Sequence, residues 1–253
     1  FAMGGTSNGH VVKYVQFLGR GAHAGSAPHR GVNALNAATF ALQAINANRE
    51  LYQEEDTVRI HGIMTKGGEA VSAVPAEVKL EWRVRSGTPD AVVRNSAIVD
   101  RCFKAGAMAV GASVKITNIP GYLPMRHDYT LQELFRKNAT ALLGESSILV
   151  MSPRRNRGGS TDMGDLSHVI PACHPYTSGA VGAGHSKDYV ITDYQTAVVN
   201  PAKIMAMTVI DLLADGGATG KEVLNRHRPA MNKDAYVKFQ REQAEIVEFS
   251  GGD

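Results

Sequence analysis

The sequence predicts a mixed α/β chain that carries a ferredoxin-like α+β unit, and three observations support that reading. Over residues 10–119, strand-like alternation and helix-like periodicity follow one another in the order βαββαβ, the split-βαβ arrangement. From Gly121 on, the pattern changes to a helix, a short strand, a basic glycine-containing loop and long helices. The opening FAMGGTSNGH has no initiator Met and reads like the end of a buried strand entering a loop. Residues 1–9 are therefore expected to belong with 120–253 as parts of one α/β domain, with 10–119 as a separate unit.

Each element has a local reason. HVVKYVQFL at 10–18 alternates, with Val11, Lys13, Val15 and Phe17 opposite Val12, Tyr14, Gln16 and Leu18, and its β-branched content favours a strand. Residues 32–48 are Ala-rich, with Leu35, Ala38, Leu42 and Ile45 at helical spacing. Residues 57–64 read as a second strand, broken by Gly67-Gly68. At 76–85, Val78, Leu80, Trp82 and Val84 alternate with Lys79, Glu81, Arg83 and Arg85, the pattern of a sheet with one wet face. Thr88-Pro89 caps and opens a helix to about Ala109, and 113–119 is the fourth strand. Beyond the unit, 129–143 is helical, 147–151 is a short strand, and Pro201 should start or kink a long helix over 193–214. Residues 217–253 read as a polar helix with a frayed end.

Composition narrows the function classes. With 43% hydrophobic and 20% charged residues, the 253-residue chain is globular and can bury a substantial core. A net charge of +3 argues for neither nucleic acid nor an anionic membrane as partner. Cys102 and Cys173 are far apart and have no CxxC partner, so no disulfide framework or structural zinc site is indicated. No apolar run approaches the roughly 20 residues a membrane span needs, and no signal-peptide pattern is present, so a cytoplasmic address is expected.

The chemistry concentrates at 158–188, where Asp162, Asp165, His168, His174 and His185 lie among glycines and small hydroxyl residues. Imidazole and carboxylate are the usual ligands of a catalytic divalent metal, and His185 is the candidate ligand. The three histidines His168, His174 and His185 are separated by five and ten intervening residues, so only tertiary structure can join them. The cluster Arg154, Arg155 and Arg157 suits a substrate carboxylate, because guanidinium forks match carboxylates. Asp162 follows Ser160-Thr161 at a helix start and reads as a cap or a substrate contact. In the loop after the first strand, Gly19, Gly21 and Gly25 have the spacing GxGxxxG, which is not the dinucleotide fingerprint, and no acidic residue ends the following strand. His23 in that loop, flanked by small residues, could donate a hydrogen bond to a developing oxyanion.

Taken together, GRGAHAGSAPHRGVNAL at 19–35, RIHGIMTKGGEAVSAVPAEVKLEWRVRS at 59–86 and GSTDMGDLSHVIP with GAGHSKD at 159–188 resemble the M20 family of metallopeptidases and amidohydrolases. The likeness is to its aminobenzoyl-glutamate hydrolase-like and aminoacylase-like branch. The resemblance implies a zinc-peptidase α/β domain into which a ferredoxin-like lid and dimerisation domain is inserted. It implies two divalent metal ions, zinc in kind, with His185 ligating one of them. It implies a homodimer in which His23 reaches the partner subunit's site and stabilises the tetrahedral intermediate. Ser72, Arg154, Arg155 and Asp162 are the expected substrate contacts, with Ser72 standing where the family's N-x-x-P motif has an amide.

The family's upstream segment, with its first metal ligands and Glu-Glu pair, has no counterpart here. The expectation is therefore a C-terminal part of an enzyme that hydrolyses a small amide, a peptide or an N-acyl or N-aryl amino acid, by a metal-activated water. The part alone is expected to be inactive. The alternative is a non-catalytic dimerisation or peptide-binding module of the same fold.

Overall fold

The computed structural model describes residues 1–252. In chain order the first elements are β1 (Ala2–Thr6), β2 (Gly9–Leu18), α1 (Ala34–Ala47), β3 (Arg59–Lys66), β4 (Glu77–Ser86), α2 (Pro89–Met108) and β5 (Ser113–Pro120). Then come α3 (Tyr129–Leu143), β6 (Leu149–Asn156), α4 (Met163–Ser167), β7 (Ala180–Val181), β8 (Val190–Ile191), α5 (Asn200–Arg226), α6 (Lys233–Glu242) and β9 (Glu245–Ser250). The chain forms two compact units, one of Phe1–Thr6, Met125–Arg157 and Asp162–Lys233, the other of Ser7–Pro124, Gly158–Thr161 and the segment from Asp234.

The second unit is an antiparallel sheet in the order β3-β4-β2-β5-β9. Alternation decides its buried face: Val11, Val15 and Phe17 of β2, Val78, Leu80 and Val84 of β4, and Val114 and Ile116 of β5 pack with α1 and α2. The buried stripe of α1 is Ala34, Ala37, Ala38, Ala41 and Ile45, rotated slightly from the expected Leu35 and Leu42 face, which is only partly buried. The reason is Gly106 of α2, where an added Cβ would lie 2.4 Å from the Ala37 carbonyl oxygen and 2.6 Å from the Ala41 nitrogen. Two helices this close need small residues at the crossing. The Thr88 hydroxyl accepts the Ala91 amide at 3.1 Å and caps α2 as the sequence predicts.

Lys13 breaks the apolar pattern on that buried face. It is 0% exposed, and its ammonium donates to Asp100 Oδ1 at 2.6 Å, Ser96 Oγ at 2.7 Å and Asn118 Oδ1 at 2.8 Å. Its three donors are thereby all satisfied, which is what a buried ammonium requires.

The C-terminal stretch corrects the sequence expectation. Instead of a polar helix with a frayed end, 217–252 contains α6 and then β9, which pairs antiparallel with β5 from Ser113↔Ser250 to Asn118↔Glu245. Val247 and Phe249 turn towards the core of the unit. The alternation in EIVEFS is too short and too charged to stand out among polar residues, so its strand character comes from the edge of β5.

The first unit contains a two-stranded parallel sheet of β1 and β6 and a smaller core of Met3, Phe135, Ala139 and Ile204. β6 runs five residues beyond the expected strand end at Met151, so Arg154 and Arg155 lie on a strand and not in a loop. Pro201 stands in the first turn of α5, after a π-helical turn at Gln195–Val199. The stretch Gln195–Arg226 is long and apolar enough to cross a membrane by length and composition only. Its backbone leaves helical geometry at Ala214, Asp215, Gly216 and Gly217.

Candidate functional site

The glycine-rich loop at residues 19–31 begins where β2 ends. It is held by a short backbone ladder in which Gly19 N donates to Ala76 O at 2.8 Å, Val74 N to Ala22 O at 2.9 Å and Ala24 N to Ser72 O at 2.9 Å. The ladder requires glycine at 19, where a Cβ would sit 2.0 Å from the Val32 carbonyl oxygen. His23 and Ala73 pair directly, so the two sequence-predicted residues His23 and Ser72 are neighbours across the ladder, and both are exposed. A cavity of about 630 Å3 beside them is lined by Ala24, Asn33, Gly68, Glu69 and Val74 among others.

The His23 ring has a defined orientation. Its Nδ1 accepts the backbone N–H groups of Gly25 at 3.2 Å and Ser26 at 3.1 Å. A nitrogen that accepts two amides carries no proton, so the neutral ring holds its hydrogen on Nε2. The exposed edge of His23 is thus an N–H donor. That is the chemistry an oxyanion needs.

Arg85 and Ser160 were absent from the sequence-predicted site. The Arg85 Nη1 donates to Ser160 Oγ at 2.7 Å and its Nε to His61 Nε2 at 3.2 Å. The sequence signal was available only in part: Arg85 ends the wet face of β4, and nothing local links it to Ser160, 75 residues on.

In the first unit the predicted residues do not converge into one cluster. Arg154 and Arg155 are exposed on β6, while Arg157 lies over the Tyr176 ring with its guanidinium carbon 3.7 Å from the centroid. Asp162 stands at the start of α4, but its side chain does not cap that helix. His168 is buried, and His174 stacks edge-on against Tyr176 with centroids 4.8 Å apart. His127, which sequence reasoning missed, accepts the His174 amide at 3.4 Å through Nδ1, and burial holds its pKa down to about 4.

His185 is exposed between β7 and β8 and has φ 65°. A non-glycine residue in the left-handed region costs about 1 kcal/mol or more and is enriched at functional sites. Among the described residues, no group of three or more His, Cys, Asp or Glu side chains is placed to hold a metal ion. The donor set of the described residues does not by itself fit a catalytic metal centre, which normally takes three protein ligands.

Residues 4–105 match the M20 peptidase dimerisation domain. The chain is an M20-family homologue. The Xaa-Arg dipeptidase of mouse is 29% identical over 209 residues, which is 79% of this chain and 47% of that protein. The human Xaa-Arg dipeptidase is 29% identical over 235 residues, 90% of this chain and 51% of that protein. Aminopeptidase PepT from Bacillus cereus superposes with a TM-score of 0.61 at 19% identity, over 84% of this chain and 53% of its own. The chain therefore spans about half the length of the curated relatives it matches. Its architecture is that of the two-domain M20 peptidases, α/β with a dimerisation-type sheet insertion, as the sequence predicts.

Proposed function

We propose that this M20 chain is the lid-bearing part of an amide-bond hydrolase, and that His23 donates its Nε2–H to the substrate's carbonyl oxygen as negative charge develops there. The observation that carries the reading is the His23 ring, exposed and held by two backbone amides in the tautomer that donates outward. Removing one such donor typically costs about 10²–10³ in kcat. Ser72, beside it on the ladder, would contact the substrate, while Arg154, Arg155 and Asp162 remain separate candidate substrate contacts within the first unit.

Dipeptides are the first substrate class to try, because the curated relatives are named for Xaa-Arg dipeptides. The lid would act in a homodimer and bring His23 to the partner's site, as the name of its matched domain suggests. His185 is the imidazole this chain would contribute to a pair of divalent ions, with the remaining ligands drawn from outside the described residues. A parallel sheet of only two strands supports the reading of the first unit as part of a larger α/β domain, since parallel sheets are normally covered on both faces.

A second reading is a non-catalytic dimerisation or peptide-binding module. It is favoured by β3, an edge strand with most of its residues exposed, which could accept another strand. One experiment separates the two: assay the 253-residue chain and the longest natural product of its gene on Xaa-Arg and other dipeptides, with His23→Ala in each. The enzyme reading expects turnover by the longer product, loss of about a hundredfold or more with His23→Ala, and none by the chain alone. Turnover untouched by His23→Ala would overturn the role of His23, and peptide binding without turnover in both would favour the module.

A further inference from the structure

One cavity of the first unit has no part in the proposed hydrolysis. It holds about 420 Å3 and is formed by the end of β1, residues 125–130, Pro153, Ser167 and residues 226–228. Its charged lining is three arginines, Arg126, Arg226 and Arg228, against one carboxylate, Asp128.

The carboxylate is already engaged on both oxygens. Asp128 Oδ1 accepts the Leu131 amide at 2.9 Å as the cap of α3, and Oδ2 faces His227 Nδ1 at 2.8 Å. Arg226 is paired with Glu222 at 2.8 Å. The other two guanidiniums are held by neutral carbonyls: Arg126 Nη1 donates to Arg228 O at 2.7 Å, and Arg228 Nη1 donates to Asn225 O at 2.8 Å and His227 O at 2.9 Å. Among the described residues neither Arg126 nor Arg228 has a carboxylate partner. Carbonyls orient a guanidinium without cancelling its charge, and most of its five donors stay available. On the same lining, His227 Nε2 is buried and without a hydrogen-bond partner. Such a buried polar atom is costly unless something supplies the missing bond.

We propose that this cavity binds a compact oxyanion, the phosphate or carboxylate group of a small molecule, through the Arg126 and Arg228 guanidiniums, with His227 Nε2 sharing a proton with one of its oxygens. Two oriented forks with no competing acid match the geometry of such a group. The His227 ring, fixed from behind by Asp128, gains the partner it lacks.

The test is calorimetric titration of inorganic phosphate, and separately of acetate, into the 253-residue chain at low ionic strength. Saturable one-site binding is expected, weakened about tenfold or more in Arg126→Gln/Arg228→Gln and several-fold in His227→Asn. The arginines are exposed, so the double variant should keep its far-UV dichroism, and His227→Asn provides an independent arm. Phosphate binding without acetate binding would assign a phosphate site, and binding of both a general oxyanion site. No saturable binding of either anion, or equal affinity in wild type and both variants, would overturn the proposal.

Discussion

Replacing Asp100 with Ala should destabilise the second unit more than any other single removal of a polar side chain from that unit. The Lys13 ammonium is 0% exposed, and Asp100 supplies its only opposite charge in hydrogen-bond contact, at 2.6 Å. Ser96 and Asn118 remain as neutral acceptors, so the variant buries an ammonium with one donor unsatisfied and no carboxylate in hydrogen-bond contact, leaving only the more distant charge of Glu245 to act on it. Breaking a buried pair in this way costs about 3–5 kcal/mol. With a urea dependence of about 2 kcal/mol per molar, the midpoint should fall by roughly 2 M.

Trp82 makes the assay specific. It is the only tryptophan of the chain, sits on β4 and packs edge-on against Phe103 at 6.4 Å, so its fluorescence follows this unit. The companion variant Lys13→Met/Asp100→Leu removes both charges and should recover most of the loss, because apolar replacement of a buried pair is often neutral or stabilising. A midpoint shift below about 0.5 M for Asp100→Ala would refute the reasoning, since at that slope it corresponds to about 1 kcal/mol, the worth of a water-exposed pair. Equal losses in the single and double variants would show that packing at Lys13, and not charge, is what matters.

Gly106→Ala should cost about 1–3 kcal/mol in the same fluorescence assay, because its Cβ meets the Ala37 carbonyl oxygen at 2.4 Å and α1 must move away. Thr88→Ala should cost about 1 kcal/mol through loss of the α2 cap, measurable as a smaller shift of the same midpoint. Acid should weaken the fold through His10 and His127, both held by burial at about 4 in place of the ordinary 6.5. Between those values the unfolded chain binds more protons than the folded one, so this stability is present above about 6.5 and lost as pH falls towards about 4. Melting temperatures over that range should flatten in His10→Gln and His127→Gln if the attribution holds. His185→Gly should raise stability by up to about 1 kcal/mol by relieving the backbone at φ 65°; a loss of stability would mean that the ring makes a structural contact.

The parts of the fold that could be read from the sequence are those whose cause is local. The alternation of β4 and the Thr88 cap lie within a few residues of what they determine, and the structure reproduces them. The loop after β2 was legible as a motif, GRGAHAGSAP, although the motif says nothing of the ladder to Ser72 that displays His23. Lys13 could be placed on the inward face of β2 by counting, but its partners are 83 to 105 residues away. β9 was misread for a related reason: EIVEFS becomes a strand because β5 offers an unpaired edge, and that edge does not exist until the sheet has formed.

By itself the sequence determined the βαββαβ order, the inward and outward faces of its strands and the candidacy of His23 and His185, because periodicity and glycine placement act over one or two turns of chain. Only the tertiary structure decided which nitrogen of His23 carries the proton, that Asp100 answers Lys13, and that Asp128 and His227 meet across 99 residues. Hydrogen bonds and charge pairs act over a few ångströms in space regardless of separation along the chain, and no local pattern encodes which distant groups folding will bring within that reach.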